Sequence, residues 1–181
     1  MSEISGAERA APSAPPVPGL ARRLAAFLYE GVLLFGVVFL AGYLYSALTQ
    51  QRHAMQGQHG LQAFLFVVLG IYFVWFWSRG GQTVAMKAWH IRVVDAQGRG
   101  LSQSRALVRY LLSWLWFMPA LLSVYLLGLQ HQVGAIFSSL GMGVIAYAAL
   151  AWLHPRRQFL HDALCGTQLV TQLPPARKPK P

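Results

Sequence analysis

The sequence predicts an all-α membrane protein: four transmembrane helices, with short cytoplasmic interfacial helices and a small strand pair. Three observations carry that prediction. Of the 181 residues, 55% are hydrophobic and 11% charged, against about 25% charged in an average soluble domain. The apolar residues gather into four blocks, each near the roughly 20 residues that a helix needs to cross about 30 Å of hydrocarbon. All but one of the 15 Lys and Arg residues, Arg52 being the exception, fall on one side if the helices alternate in direction.

Residues 1–19 are rich in Ala, Pro and Ser and predict a disordered N-terminal tail. The membrane domain is expected over residues 20–171, with helices at about 24–48, 61–77, 110–129 and 133–153, and residues 172–181 form a basic, Pro-rich tail. Within the four blocks only Glu30 is charged. Lipid offers no hydrogen bonds to bare backbone, so such blocks are satisfied as helices and not as open strands. The first block is long and contains a carboxylate, unlike the brief apolar core of a secretory leader, and reads as a retained helix. Pro119 is expected to kink the third helix. On the fourth, Ala135, Ser139 and Gly143 recur every four residues, a small-residue stripe for close helix packing within the chain or with a second copy.

The connections on the Arg52 side are short, and neither can house a domain. The longer loop between the second and third blocks holds "GGQTVAMKAWH", a short amphipathic helix, then "IRVVDAQGRG", a strand entering a turn. The C-terminal end repeats that order in "RRQFLHDALCG" and "TQLVTQL". Superposing Val93-Val94 on Leu169-Val170 gives two halves, each of two spans, an interfacial helix and a strand. Both halves begin on the same side, so the repeat is parallel, with its axis along the membrane normal. A lone strand would leave a row of backbone groups unpaired, so the two strands are expected to pair with each other.

The basic asymmetry places both termini and the 79–109 loop in the cytoplasm of a multi-pass protein of the bacterial inner membrane. The net charge of +10 is then a topology signal, reinforced by attraction to anionic lipid headgroups on the cytoplasmic face. The expected partners are the lipid bilayer and those headgroups; a second copy of the chain or another membrane protein is an open alternative, and nucleic acid is not expected. No cofactor is implied. His53, His59 and His131 match no metal-ligand spacing, so no metal site is assigned. The single Cys165 reads as an inert thiol. His161 and Asp162 are neighbours that point about 100° apart on a helix, with no nucleophile beside them, which argues against an enzyme.

Glu30 is the residue that needs explaining, because an ionised carboxylate at membrane depth costs at least a few kcal/mol unless it is paired or hydrated. Arg23 lies seven residues earlier, two turns away on the same helix face and about 10 Å off along the axis. A third group from elsewhere in the chain is required.

The segments "RRLAAFLYE", "GQTVAMKAWHIRVVDAQGRGLSQSRALVR" and "RRQFLHDALCGTQLV" resemble the RDD membrane proteins, named for an arginine and two aspartates. The resemblance covers about residues 18–171. It implies that Arg23 is the family arginine, that Glu30 stands at the first aspartate and that Asp162 is the second. Arg23, Glu30 and Asp162 would then form a polar cluster on the cytoplasmic side, either locking the first helix to the terminal segment or serving as a proton or cation site. Candidate supporting residues are His161, Lys87 and Arg109. Ala85-Met86 replace the Gly-Lys pair usual after the central threonine, which leaves Lys87 to substitute from the next position. Transport has been suggested for the family without a general substrate. Two functions follow: proton- or cation-linked transport, or a membrane adaptor or assembly factor that recruits a partner through its cytoplasmic cap.

The topology can be checked by thiol labelling of intact cells and inverted vesicles. Cys165 should react only from the cytoplasmic face, and Gln56→Cys in a Cys165→Ser background only from the other. Mixed labelling would overturn the four-span arrangement.

Overall fold

A computed structural model describes residues 16–49, 58–153 and 158–172. Both expected tails fall largely outside the described residues. In chain order the elements are α1 (Leu20–Thr49), α2 (Gln58–Arg79), α3 (Val84–Ala88), β1 (Ile91–Asp95), α4 (Gln103–Ser113), a 3-10 turn (Trp114–Trp116), α5 (Met118–Leu126), α6 (Val133–Leu153), α7 (Leu160–Cys165) and β2 (Thr167–Thr171). Three helices, α1, α2 and α6, are long and apolar enough to cross a membrane; α4 and α5 make a fourth span when taken together. Side chains such as Phe35, Phe39, Leu126, Phe137 and Met142 are exposed along these helices, as expected where the surrounding medium is lipid and not water.

The third span differs in extent from the helix expected over 110–129, and the kink expected at Pro119 is a full break. It begins seven residues earlier, at Gln103, capped by the Ser102 side chain, which accepts from the Arg105 N–H. It then breaks at Trp114–Phe117, and its two parts are bent by 42°. Pro119 is the cause: it has no N–H to donate and disfavours helical geometry in the residue before it, so it suits the first turn of a new helix. That is its place in α5. The Phe117 N–H bonds the Trp114 carbonyl at 3.0 Å, tightening the chain into the 3-10 turn. At its far end α5 stops at a left-handed Gly128, where the Leu129 N–H reaches the Val124 carbonyl at 3.0 Å.

β1 and β2 pair antiparallel, in a register centred on Val93 opposite Leu169. The pairing closes one end of the helices with a small cap of α3, α7 and the two strands. Those are also the residues superposed by the internal repeat, and a two-fold axis through their pair would exchange Ile91↔Thr171 with Asp95↔Thr167, both observed. The element order repeats likewise: two spans, a short helix, a strand. Gly81 makes the approach possible, since its φ is +70° and a Cβ there would lie 2.6 Å from the Val93 carbonyl oxygen. The turn after β1 is organised by Asp95, whose Oδ1 accepts from the backbone N–H groups of Gln97 and Arg99 at 2.9 and 2.8 Å. The Arg99 N–H, together with the Arg99 side chain, holds the Asp95 carboxyl below its ordinary range.

The core sits at the capped end and not midway along the helices: Ile91, Val93, Met86, Trp77, Tyr110, Trp116, Phe159 and Leu169 form one cluster. Arg22 adds a strap from α1, donating to the carbonyls of Trp89 and His90 at 2.6 and 3.2 Å. The small-residue stripe of α6 is used within the chain at two of its three positions. Ser139 donates to the Ala120 carbonyl at 3.2 Å, and Gly143 faces Ala120 so closely that a Cβ would come within 2.9 Å of the alanine methyl. Ala135 is half-buried.

Two glycines of α6 therefore predict opposite outcomes. Gly143→Ala should destabilise the protein by about 1–3 kcal/mol through overpacking against Ala120. Gly141→Ala meets nothing within 4 Å and should be neutral or stabilising by up to about 1 kcal/mol from helix propensity. Thermal unfolding in a mild detergent reads both.

Candidate functional site: a capped cavity between the spans

A cavity of about 350 Å³ opens between α1, α2 and the α4–α5 break, and the cap elements close one end of it. Its walls are aromatic and aliphatic: Phe27 from α1, Phe73 and Trp77 from α2, and Tyr110, Trp114 and Trp116 from the third span. The break in that span falls among these aromatic residues, at Trp114–Phe117. Polar side chains also line the cavity, namely Arg23, Glu30, Thr83, Arg109 and His161. Arg23 and Glu30, seven residues apart on α1, are both buried and face this one space.

The cluster expected from Arg23, Glu30 and Asp162 is divided into two parts. Asp162 takes its ion pair from Arg109 on α4: Nη2 and Nε lie 2.7 and 2.9 Å from Oδ1, and both residues are buried. Thr167 Oγ1 adds a donor at 3.1 Å. Asp162 Oδ2 has no hydrogen-bond partner among the described residues. The Arg109 guanidinium stacks on the Trp77 ring, 4.1 Å from its centroid, so its charge is flanked by a carboxylate and an aromatic face. Burial pushes Asp162 up, but Arg109 and then His161 outweigh it, and the carboxyl is held below its usual range. Arg109 is thus a principal member of the site and not only a supporting one.

Glu30 is held by hydroxyls. Tyr72 on α2 donates to its Oε1 at 2.6 Å, and Thr83 donates to its Oε2. Thr83 is also the N-cap of α3, accepting from the Met86 N–H at 3.2 Å. The carboxylate of α1 is thereby tied to the start of the interfacial helix. Arg23 points back to its own entry: Nε donates to the Pro18 carbonyl at 2.8 Å, and the guanidinium lies 5.0 Å over the Phe159 ring. It remains electrostatically coupled to Asp162. The shortfall of an arginine reaching two turns along its own helix is geometric, since about 10 Å of axial separation exceeds a direct contact.

His161 joins the Asp162 side of the site. Its Nδ1 lies 3.0 Å from the Tyr147 hydroxyl, which also accepts from the His161 backbone N–H at 2.9 Å. Its Nε2 is 3.6 Å from Asp162 Oδ1. Burial, only partly offset by Asp162, pushes the imidazole down to about 4, so it is neutral near neutral pH. If the Tyr147 hydroxyl donates to Nδ1, the ring proton sits on Nε2, on the side of Asp162. Lys87, expected to substitute for a missing lysine, is exposed on α3 and does not line the cavity. On that short helix Ala85 and Met86 face inward and Lys87 faces out, so a shift of one position changes the face. Burial pushes the Cys165 thiol up, which favours its protonated form. No cluster of three or more His, Cys, Asp or Glu with metal-binding placement occurs among the described residues.

Tyr72 and Thr83 were not singled out in the sequence. Tyr72 is one of several aromatic residues in an apolar run, and its letter carries no sign of a carboxylate partner. Thr83 had a usable signal, because a threonine directly before a short amphipathic helix is a cap, and caps sit where backbone and a neighbouring helix meet.

In comparison with known proteins, a family model described as the RDD family fits residues 17–166. No curated protein and no solved structure matches.

The Arg109–Asp162 pair should dominate stability. Arg109→Ala, which strands Asp162, is expected to cost about 3–5 kcal/mol, and Asp162→Asn in the same background should recover part of it. A double-mutant cycle by denaturant unfolding in detergent measures this, and a coupling below about 0.5 kcal/mol would contradict a direct pair.

Proposed function

The chain belongs to the RDD family, and from that premise and the cavity we propose a proton-linked carrier of the bacterial inner membrane, its termini in the cytoplasm. The observation that carries the reading is the setting of Glu30: a carboxyl group on the wall of an apolar cavity, its two oxygens held by hydroxyls of α2 and α3. A hydroxyl serves either protonation state. It donates to an ionised carboxylate, and the Thr83 oxygen can accept from a protonated one. An arginine would pin the group in its charged form; Tyr72 and Thr83 do not.

Two further features support the reading. The third span is broken where it lines the cavity, and discontinuous spans are a recurrent device for building binding sites at depth in transporters. Proton exchange at Glu30 would also alter its hold on Thr83, and hence on α3 and the cap, giving a path from protonation to a change of shape. The donor set favours a proton over a metal cation, because a metal ion calls for several oxygen ligands and the cavity wall offers one carboxylate amid aromatic rings.

The test is proton flux in liposomes. Purified protein reconstituted with an internal pH dye should dissipate an imposed pH gradient when substrate is supplied from a pooled extract, and Glu30→Gln should slow that by at least about tenfold while leaving the unfolding temperature near wild type. Flux insensitive to Glu30→Gln would remove the carboxyl from the transport step. Absent flux together with a partner that co-purifies through the cap would move the assignment to an adaptor.

A further inference from the structure

We infer that the cavity takes up the hydrocarbon chain of a membrane lipid, which enters sideways from the bilayer between α1 and the third span. Such occupancy does not require proton exchange at Glu30, so it and the carrier reading can each fail alone.

The first support is that the polar groups on the wall are already engaged inside the protein. Tyr72 and Thr83 hold both oxygens of Glu30, and Asp162 holds Arg109 at 2.7 Å. Arg23 donates to the Pro18 carbonyl and lies over the Phe159 ring. The Tyr110 hydroxyl donates to the Phe66 carbonyl at 2.7 Å, the Ser113 hydroxyl to the Tyr110 carbonyl at 2.7 Å, and His161 meets the Tyr147 hydroxyl at 3.0 Å. The Trp77 indole N–H has no hydrogen-bond partner among the described residues, but the atom is buried and its ring is covered by the Arg109 guanidinium. A charged or strongly polar ligand in this space would have to displace these bonds, and unmatched polar groups are costly away from water. What the wall offers instead is rings and aliphatic side chains, among them Phe27, Leu34, Leu69, Phe73 and Trp116. Apolar spaces of about 150 Å³ already stay dry and admit apolar guests, and this one is about 350 Å³.

The second support is where the wall leads. Phe27, Gly31 and Leu34 are spaced by four and three residues and so share a face of α1. Gly31 is exposed as well as part of the wall, and Leu28 and Phe35, one turn either side of it, are 68% and 74% exposed. Across the space Phe117 lines the wall, and the next residue, Met118, is exposed. The cavity therefore runs onto the apolar outer surface of two membrane-spanning segments, where the surrounding medium is lipid. α1 packs on α2 and α3, and the third span on α2 and α6; the cavity lies where α1 faces the third span, with Phe27 stacked on Trp116 at 5.1 Å. A chain that moves in leaves one apolar medium for another, so its gain is close contact with the rings.

The experiment is photo-crosslinking of the full chain in nanodiscs that contain a phosphatidylcholine with a diazirine midway along one acyl chain, followed by peptide mass mapping. Tyr110 and Trp116 are buried, so an adduct on either requires a chain inside the cavity, whereas exposed Phe137 on α6 reports ordinary lipid contact. Adducts should form at Tyr110 or Trp116 as well as at Phe137. Gly31→Phe puts a ring in the entrance, where a Cβ meets nothing within 4 Å. It should reduce the inner adducts relative to Phe137 by at least about tenfold, the scale on which an overfilled space excludes a group. Gly36→Phe adds the same ring to α1 away from the wall, again with nothing within 4 Å of the Cβ, and should leave the adduct ratio unchanged. If Gly31→Phe does not fold, Gly31→Leu repeats the comparison with a smaller block. A parallel sample in unlabelled lipid receives a phenyl(trifluoromethyl)diazirine, a small uncharged ring. Inner adducts from that probe and none from the lipid would overturn the chain assignment in favour of a small apolar solute. Lipid adducts confined to outward residues such as Phe137, or inner adducts that persist when Gly31 is replaced in folded protein, would overturn the site as a chain-binding cavity, with proton flux and its dependence on Glu30 left as a separate measurement.

Discussion

The buried pair of Arg109 and Asp162 is the interaction on which the rest of the capped end depends. It fastens α4 to α7, and α7 leads through a left-handed Gly166 directly into β2. If α7 were not held there, β2 would not meet β1, and the wall formed by Ile91, Phe159 and Leu169 would not close. A charged pair is a costly fastener, since both ions must leave water. The cost is met here by several contacts on one oxygen: two Arg109 nitrogens and the Thr167 hydroxyl, with the Trp77 ring covering the guanidinium.

The other half of the molecule performs the corresponding task with different chemistry. Glu30 on the first span holds Thr83 at the start of α3, as Arg109 on the third span holds Asp162 in α7. Each link joins the entry helix of a half to its own interfacial helix, one through a neutral hydroxyl and the other through an ion pair. The halves thus agree in architecture and differ in charge. That asymmetry gives the second half a buried ion pair and the first half a carboxyl group held by two hydroxyls.

The cavity follows from the same arrangement. In one continuous helix Trp114, Trp116 and Phe117 would lie at about 0°, 200° and 300° round the axis. In the broken span, bent by 42°, all three line the cavity. Pro119 therefore acts on the site from outside it, by breaking a hydrogen-bond ladder and not by contact.

Much of the architecture was legible in the sequence because it follows from local and solvent-driven rules. Apolar block length predicts helices in lipid, the repeated order of short helix and strand predicts the cap, and the need to satisfy strand edges predicts that β1 meets β2, as it does. The RDD motif likewise marked Arg23, Glu30 and Asp162 as residues of one end of the molecule. What the sequence could not decide was who holds whom. Asp162 could have been met by Arg23 or by Arg109, and Glu30 by an arginine or by hydroxyls; the letters are compatible with each. The choice depends on the crossing of α1, α2 and α4 and on which face of α3 turns inward, both of which are set by side chains far apart in the chain packing at once. Tertiary structure alone assigned Asp162 to Arg109 and Glu30 to Tyr72 and Thr83, because partners 42 and 53 residues away are chosen by where the helices pack and not by spacing along one of them.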